Sequence, residues 1–142
     1  MITPLYNQEY TEFVLPLICK AQNTIDIVTY DWRWYPDNPE HEIQKLNTAI
    51  IFSLSRLVKV RAILQDKNMV QFLRDLKISA RHFHHQPTLH AKFLLIDDRY
   101  LILGSHNLTH RAMDYNIETS LLIDDPDIVL YYKLLFNNLY GL

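Results

Sequence analysis

The stretch HAKFLLIDDRYLILGSHN, residues 90–107, decides how the chain reads. A strand-like apolar run over 89–96, opened by His90 and Lys92, breaks at Asp97 and Asp98, resumes as a strand over 100–103, and stops at Gly104-Ser105-His106-Asn107. Two short apolar runs around a polar break predict an antiparallel hairpin. Aspartates suit the break because their side chains bond nearby backbone amides. Strand alternation projects His90 and Lys92 to one side. Asp97, five residues past Lys92, has the wrong parity to join them and belongs with the turn. Folding the second strand back sets Gly104 and Ser105 roughly opposite Lys92. Asn107 then falls just past His90, at the start of a following helix. Gly104 is one of only two glycines, and it lets a large group approach the backbone. The hairpin therefore gathers His90, Lys92, Ser105 and Asn107 at one edge. That set suits a phosphate. Lys92 supplies positive charge, Ser105 and Asn107 supply donors, and the first free amides of the next helix favour an anion. His90 can attack phosphorus or move protons near neutral pH.

Working outward from the hairpin, strands alternate with helices. Apolar positions Phe13, Val14, Leu17, Ile18 and Ala21 predict a helix over 8–22, with Pro16 a defect able to bend it. TIDIVTY, 24–30, reads as a strand and DWRWYPDNPE, 31–40, as a loop. A helix over 42–57, a strand over 58–64, a shorter helix over 68–77 and a strand over 78–83 follow. Beyond the hairpin come a helix near 108–113, a strand over 117–123 and a helix from about Asp127. This order predicts an α/β fold, a mixed β-sheet flanked by helices on both faces, as a single domain over 1–142. The 142 residues are 49% hydrophobic and 21% charged, an ordinary globular balance. The formal net charge of −2 announces no global basic field, so any polyanion site is local. Cys19 is the only cysteine; it reads as a small core residue and offers no disulfide framework. The sequence MITPLYNQEYTEF shows no export signal, and no long apolar span occurs. The expectation is a cytoplasmic protein without integral membrane association.

The run His90-x-Lys92, four residues, Asp97, six residues, Gly104-Ser105-x-Asn107 resembles the signature of the phospholipase D superfamily without a gap. The stretch LTHRAMDYNIETSLLI is also similar to family members, with Glu118 near an expected acidic position. The resemblance implies a phospholipase D-like fold and a reaction through a covalent phosphohistidine, with no cofactor and no metal. A histidine attacks phosphorus, and a second histidine from a second motif copy protonates the leaving oxygen. By this resemblance the catalytic set is His90, Lys92, Asn107, Ser105, Glu118 and Asp97. Lys92 and Asn107 bind phosphoryl oxygens and Ser105 assists. Glu118 orients a histidine ring, in its own chain or its partner's. Asp97 is supporting or structural. No second H-x-K occurs, so the chain resembles the small single-motif branch, whose members place two histidines across a two-fold axis. The expected assembly is a homodimer with one composite site.

Outside the hairpin, Trp32, Arg33 and Trp34 follow the first predicted strand, where α/β sheets place ligands. The tryptophans could stack on bases or simply fill the core, and Arg33 is the better candidate for substrate contact. RHFHHQPTLH carries His82, His84 and His85 without an acidic cluster, which favours substrate contact by His84 at the mouth of the site over a metal site. Arg61, Arg74 and Arg81 read as surface residues. The short chain without a lipid-pocket insertion favours a nuclease acting on DNA or RNA, with room for a partner protein that delivers substrate. The alternatives are a phospholipase D or phosphatidyl transferase, or a nuclease subunit of a larger complex.

Overall fold

The computed structural model describes residues 1–142. Its elements are β1 (Ile2–Tyr6), α1 (Glu9–Lys20), β2 (Thr24–Val28), α2 (Glu42–Ser55), β3 (Lys59–Leu64), α3 (Lys67–Asp75), β4 (Ser79–His82), β5 (Phe93–Ile96), β6 (Tyr100–Gly104), a π turn (Arg111–Tyr115), β7 (Thr119–Ile123) and α4 (Pro126–Tyr140). One seven-stranded sheet runs in the order β1-β7-β6-β5-β2-β3-β4. The pairs β2–β3 and β3–β4 are parallel, as short βαβ units require. The pairs from β2 through β5, β6 and β7 to β1 are antiparallel, so the sheet is mixed, as expected.

Alternation along the central strands explains the layers. Ile25, Ile27, Leu94, Ile96 and Ile102 pack on one face with Val14, Ile18, Leu46, Ile50, Val70 and Leu73 from α1, α2 and α3. Val28, Phe93, Leu95 and Leu101 face the other way and pack against Val129 and Phe136 of α4. Helices therefore cover both faces, and the central strands are buried throughout. Pro16 lies inside α1 without ending it.

The hairpin forms in the register Phe93↔Leu103 to Ile96↔Tyr100. Asp97 and Asp98 both take left-handed backbone, at φ 55° and 52°, the conformation that primed hairpin turns require. The Asp97 carboxylate accepts from the amides of Gln22, Asn23 and Thr24 at 2.7–3.1 Å. It thereby ties the hairpin turn to the end of α1 and the start of β2.

Several expectations change. Strand β1, absent from the sequence reading, pairs with β7 across the whole chain. The helix expected near 108–113 is instead a single π turn at 111–115. Cys19 is exposed rather than in the core. Arg61 is no free surface residue: it forms a two-pronged ion pair with fully buried Asp26 at 2.8 and 2.9 Å. Lys133 of α4 reaches the same carboxylate at 2.7 Å and Asp98 at 2.6 Å. This charged network fastens α4 to the sheet.

Candidate active site

The strand expected over 89–96 begins only at Phe93; His90, Ala91 and Lys92 form the approach to it, and the β5–β6 ladder extends one step to Lys92. The Gly104 amide donates to the Lys92 carbonyl at 3.3 Å, so Lys92 stands opposite Gly104 as the spacing predicts. Gly104 is glycine for lack of room rather than for an unusual φ: an added Cβ would lie 2.4 Å from Ser120 Cα and from the Thr119 carbonyl oxygen. That close approach carries β7 beside Ser105. The Ser105 hydroxyl donates to Glu118 Oε1 at 2.8 Å and accepts from the Thr119 amide at 3.0 Å.

The Lys92 ammonium donates to the His90 carbonyl at 2.8 Å and lies 3.2 Å from His90 Nδ1. Burial lowers the Lys92 pKa, while the Glu118 carboxylate pulls it back up. The ring of Tyr30, which follows β2, lies 4.8 Å from the His90 ring. Asn107 is fixed by the same segment: its Oδ1 accepts from the Asp31 amide at 3.1 Å and from the Thr29 hydroxyl at 3.3 Å. That leaves the Asn107 Nδ2 donors without a partner in the chain. Residues 29–31 therefore serve as a common anchor for His90 and Asn107. His90, Lys92, Gly104 and Ser105 line one open cavity, walled on the far side by Phe93, Leu103, Tyr132 and Leu135.

The remaining candidates divide. Glu118 hydrogen-bonds Ser105 and Asn116 but no histidine of its own chain. Asp97 lies at the opposite end of β5 and is not brought to this cluster; its carboxylate is occupied by backbone amides. Asn107 does not open a helix, because Leu108 forms a bridge with Trp32 and its amide donates to the Asp31 carbonyl. The amides of His110 and Ala112 are likewise occupied, by the Tyr35 and Thr109 hydroxyls. The expected set of free helix amides is therefore not there.

Trp32 is overturned as a substrate contact. It is 1% exposed, and its indole N–H donates to Asn47 Oδ1 at 2.8 Å. Trp34 is partly buried and packs edge-on against Phe72 of α3. Arg33 is exposed, paired with Asp31 at 2.8 Å, and lines a second cleft together with Asn107. His84 is exposed and stacks beside His82 and His85, outside the His90 cavity. No group of three His, Cys, Asp or Glu side chains is arranged to hold a metal ion.

The sequence reading missed Tyr30, Tyr132 and Asn116. Asn116 carried a signal, its spacing of two from Glu118. Tyr132 carried none, because only the packing of α4 brings it to His90.

Comparison with known proteins identifies the family and the fold. Residues 14–140 match a family model described as cardiolipin synthase, PLD-like domain. The chain is 27% identical over 133 residues to mitochondrial cardiolipin hydrolase of Xenopus tropicalis, covering 89% of this chain and 59% of that one. It is 28% identical over 128 residues to phospholipase D of Rickettsia conorii, covering 86% and 60%. The chain thus spans under two thirds of the length of these relatives. Among solved structures it resembles Nuc, a phospholipase D family member from Salmonella typhimurium, with TM-score 0.82 and 18% identity over 99% of this chain and 94% of Nuc. NucT from Helicobacter pylori gives TM-score 0.75 and 19% identity, covering 99% and 97%.

Proposed function

Because the chain belongs to the phospholipase D superfamily, we propose that it is a phosphodiesterase, and specifically a nuclease that works as a homodimer without a metal or cofactor. The observation that carries this is the convergence of His90 and Lys92 with Ser105 and Glu118 at one exposed cavity, with Asn107 anchored on the adjoining segment.

In this reading His90 attacks phosphorus. The new N–P bond forms as the bond to the leaving oxygen breaks. A histidine of the second protomer donates the proton that the leaving oxygen needs. Water then attacks the phosphohistidine, giving its proton back to that histidine, and His90 is released. Lys92 and the Asn107 amide bind the phosphoryl oxygens as charge builds on them. A phosphoryl group that draws the Lys92 ammonium away frees His90 Nδ1. Glu118, held by Ser105, orients a histidine across the dimer, since it bonds none in its own chain.

Nucleic acid is favoured by the polar cleft that continues from Asn107 past Arg33. A lipid substrate, as for a phospholipase D or phosphatidyl transferase, is the second reading. It rests on the apolar wall of Phe93, Leu103, Tyr132 and Leu135 beside His90 and on the relatives named cardiolipin hydrolase. No helix is long and apolar enough to cross a membrane. A third arrangement is a nuclease subunit of a larger complex, whose partner protein delivers the strand.

The deciding experiment offers purified protein, in excess EDTA, labelled single-stranded DNA and RNA beside vesicles of phosphatidylcholine and of cardiolipin. Cleavage of a strand supports the proposal. Hydrolysis of lipid alone transfers the case to the second reading.

A further inference from the structure

A cleft of about 480 Å³ includes Asn107 of the candidate site in its lining. It is lined mainly by polar side chains, among them Arg33, Arg111, Asn116 and Tyr115. Its charges are unequally engaged. Arg33 is neutralised by Asp31 at 2.8 Å. The carboxylate of Asp114, within the same π turn as Arg111, is held by His41 and Gln8. Arg111 is exposed and its guanidinium has no ion-pair or hydrogen-bond partner in the chain, which leaves it as the unpaired cation of the cleft. Tyr115 is 80% exposed at the rim. His110 Nε2, buried in the wall, also lacks a hydrogen-bond partner. Asn107 belongs to both places: it lines this cleft, and its segment anchors the site around His90.

We infer that this cleft receives the phosphate next to the scissile one in a single nucleic-acid strand, with Arg111 binding that phosphate and Tyr115 offering its ring to the neighbouring base. The inference rests on the reading that the site at His90 hydrolyses phosphodiesters. A strand with one phosphate against Lys92 and Asn107 that runs on into the cleft Asn107 shares meets there the one cation with no partner. A single phosphodiester without a neighbour would leave the cleft empty.

The test compares bis-p-nitrophenyl phosphate, which has one phosphodiester, with a short single-stranded oligonucleotide. Arg111→Ala should lower kcat/KM on the oligonucleotide relative to the small diester by roughly tenfold or more, mainly through KM, as loss of a charge-assisted contact implies. Arg111→Lys should restore much of that ratio. In a His90→Ala background, which keeps the strand intact, Arg111→Ala should reduce the slope of log affinity against log salt by about 1. Tyr115→Ala should weaken strand binding by roughly five- to hundred-fold through lost stacking. An unmoved ratio, or equal loss on both substrates, overturns the inference while hydrolysis of the strand stands. Dependence on Arg111 seen only with cardiolipin vesicles overturns it in favour of a lipid's second phosphate. Failure to hydrolyse any of the three substrates overturns the inference together with the proposed function.

Discussion

The Lys92 ammonium sits 3.2 Å from His90 Nδ1 and 2.8 Å from the His90 carbonyl oxygen. One side chain thus both fixes the backbone of the other and borders its ring. Removing either should therefore damage the chemistry while leaving the fold, since both lie at the rim of the sheet rather than in its core. His90→Ala is expected to cost at least roughly 10²–10⁴-fold in kcat, the usual worth of a positioned proton-transfer group. Lys92→Ala and Asn107→Ala should each cost about 10²–10³-fold, like the loss of one oxyanion donor. Circular dichroism with single-turnover kinetics checks both halves. A His90→Ala protein that keeps wild-type turnover contradicts the assignment.

Burial lowers the Lys92 pKa from the ordinary lysine value of 10.5. The sign follows directly: the ammonium, the form that binds phosphoryl oxygen, is lost at a lower pH than for a free lysine. Activity should fall on the alkaline side earlier than 10.5, with KM rising first. Lys92→Arg should move that limb upward, because guanidinium stays charged, whatever it costs in absolute rate. A kcat/KM profile to high pH on the small diester reads the limb.

Asp97 keeps its motif spacing to Lys92 yet binds the amides of residues 22–24 instead of joining the site. Asp97→Ala should lower stability by about 1–3 kcal/mol, the scale for charged hydrogen bonds left unmade, seen as a shifted urea midpoint. Its loss in kcat per folded molecule should be far smaller than that of His90→Ala. The turn was legible because aspartates and apolar flanks are local signals, and the same parity argument separated Asp97 from His90. Strand β1 was not legible: ITPLY is short and interrupted by a proline, and its stability comes from β7, more than 110 residues away. Trp32 was misplaced for the same reason. Its partner Asn47 lies on α2, and nothing in DWRWYP tells a buried indole from an exposed one.

Asp26 is fully buried in the middle of β2 with Arg61 and Lys133 on its two oxygens. Its cations come from 35 and 107 residues away, so the sequence offered only an acid inside a strand. Asp26→Ala leaves Arg61 without its carboxylate and Lys133 with Asp98 alone beneath α4, and breaking such a buried arrangement costs about 3–5 kcal/mol. The midpoint of thermal unfolding should drop by roughly 10 °C or more. Lys133→Ala should cost less, since Arg61 still neutralises Asp26. The cavity wall at Tyr132 lies one residue from Lys133, so this variant should also loosen the site. Equal stability of Asp26→Ala and wild type would show that α4 is held by Val129 and Phe136 alone.

The proposed composite site makes a quantitative demand on mixtures. A single His90 per chain leaves the leaving oxygen without a proton donor, and Glu118 bonds no histidine of its own chain. If both histidines of a dimer are needed, a mixed dimer with one His90→Ala protomer is inactive. In wild type refolded or co-expressed with an equal amount of His90→Ala, pairing at random about a two-fold axis, the specific activity per total protein should then be about one quarter of that of wild type alone. Independent protomers would retain about one half. The two outcomes differ twofold, well within reach of a steady-state assay on the small diester, and light scattering on the same samples confirms the pairing. Retention near one half in a proven dimer would mean that each protomer supplies its own acid. In that case the short chain would have to find its proton donor near His90 itself, where the Tyr30 ring lies tilted at 4.8 Å from the His90 ring.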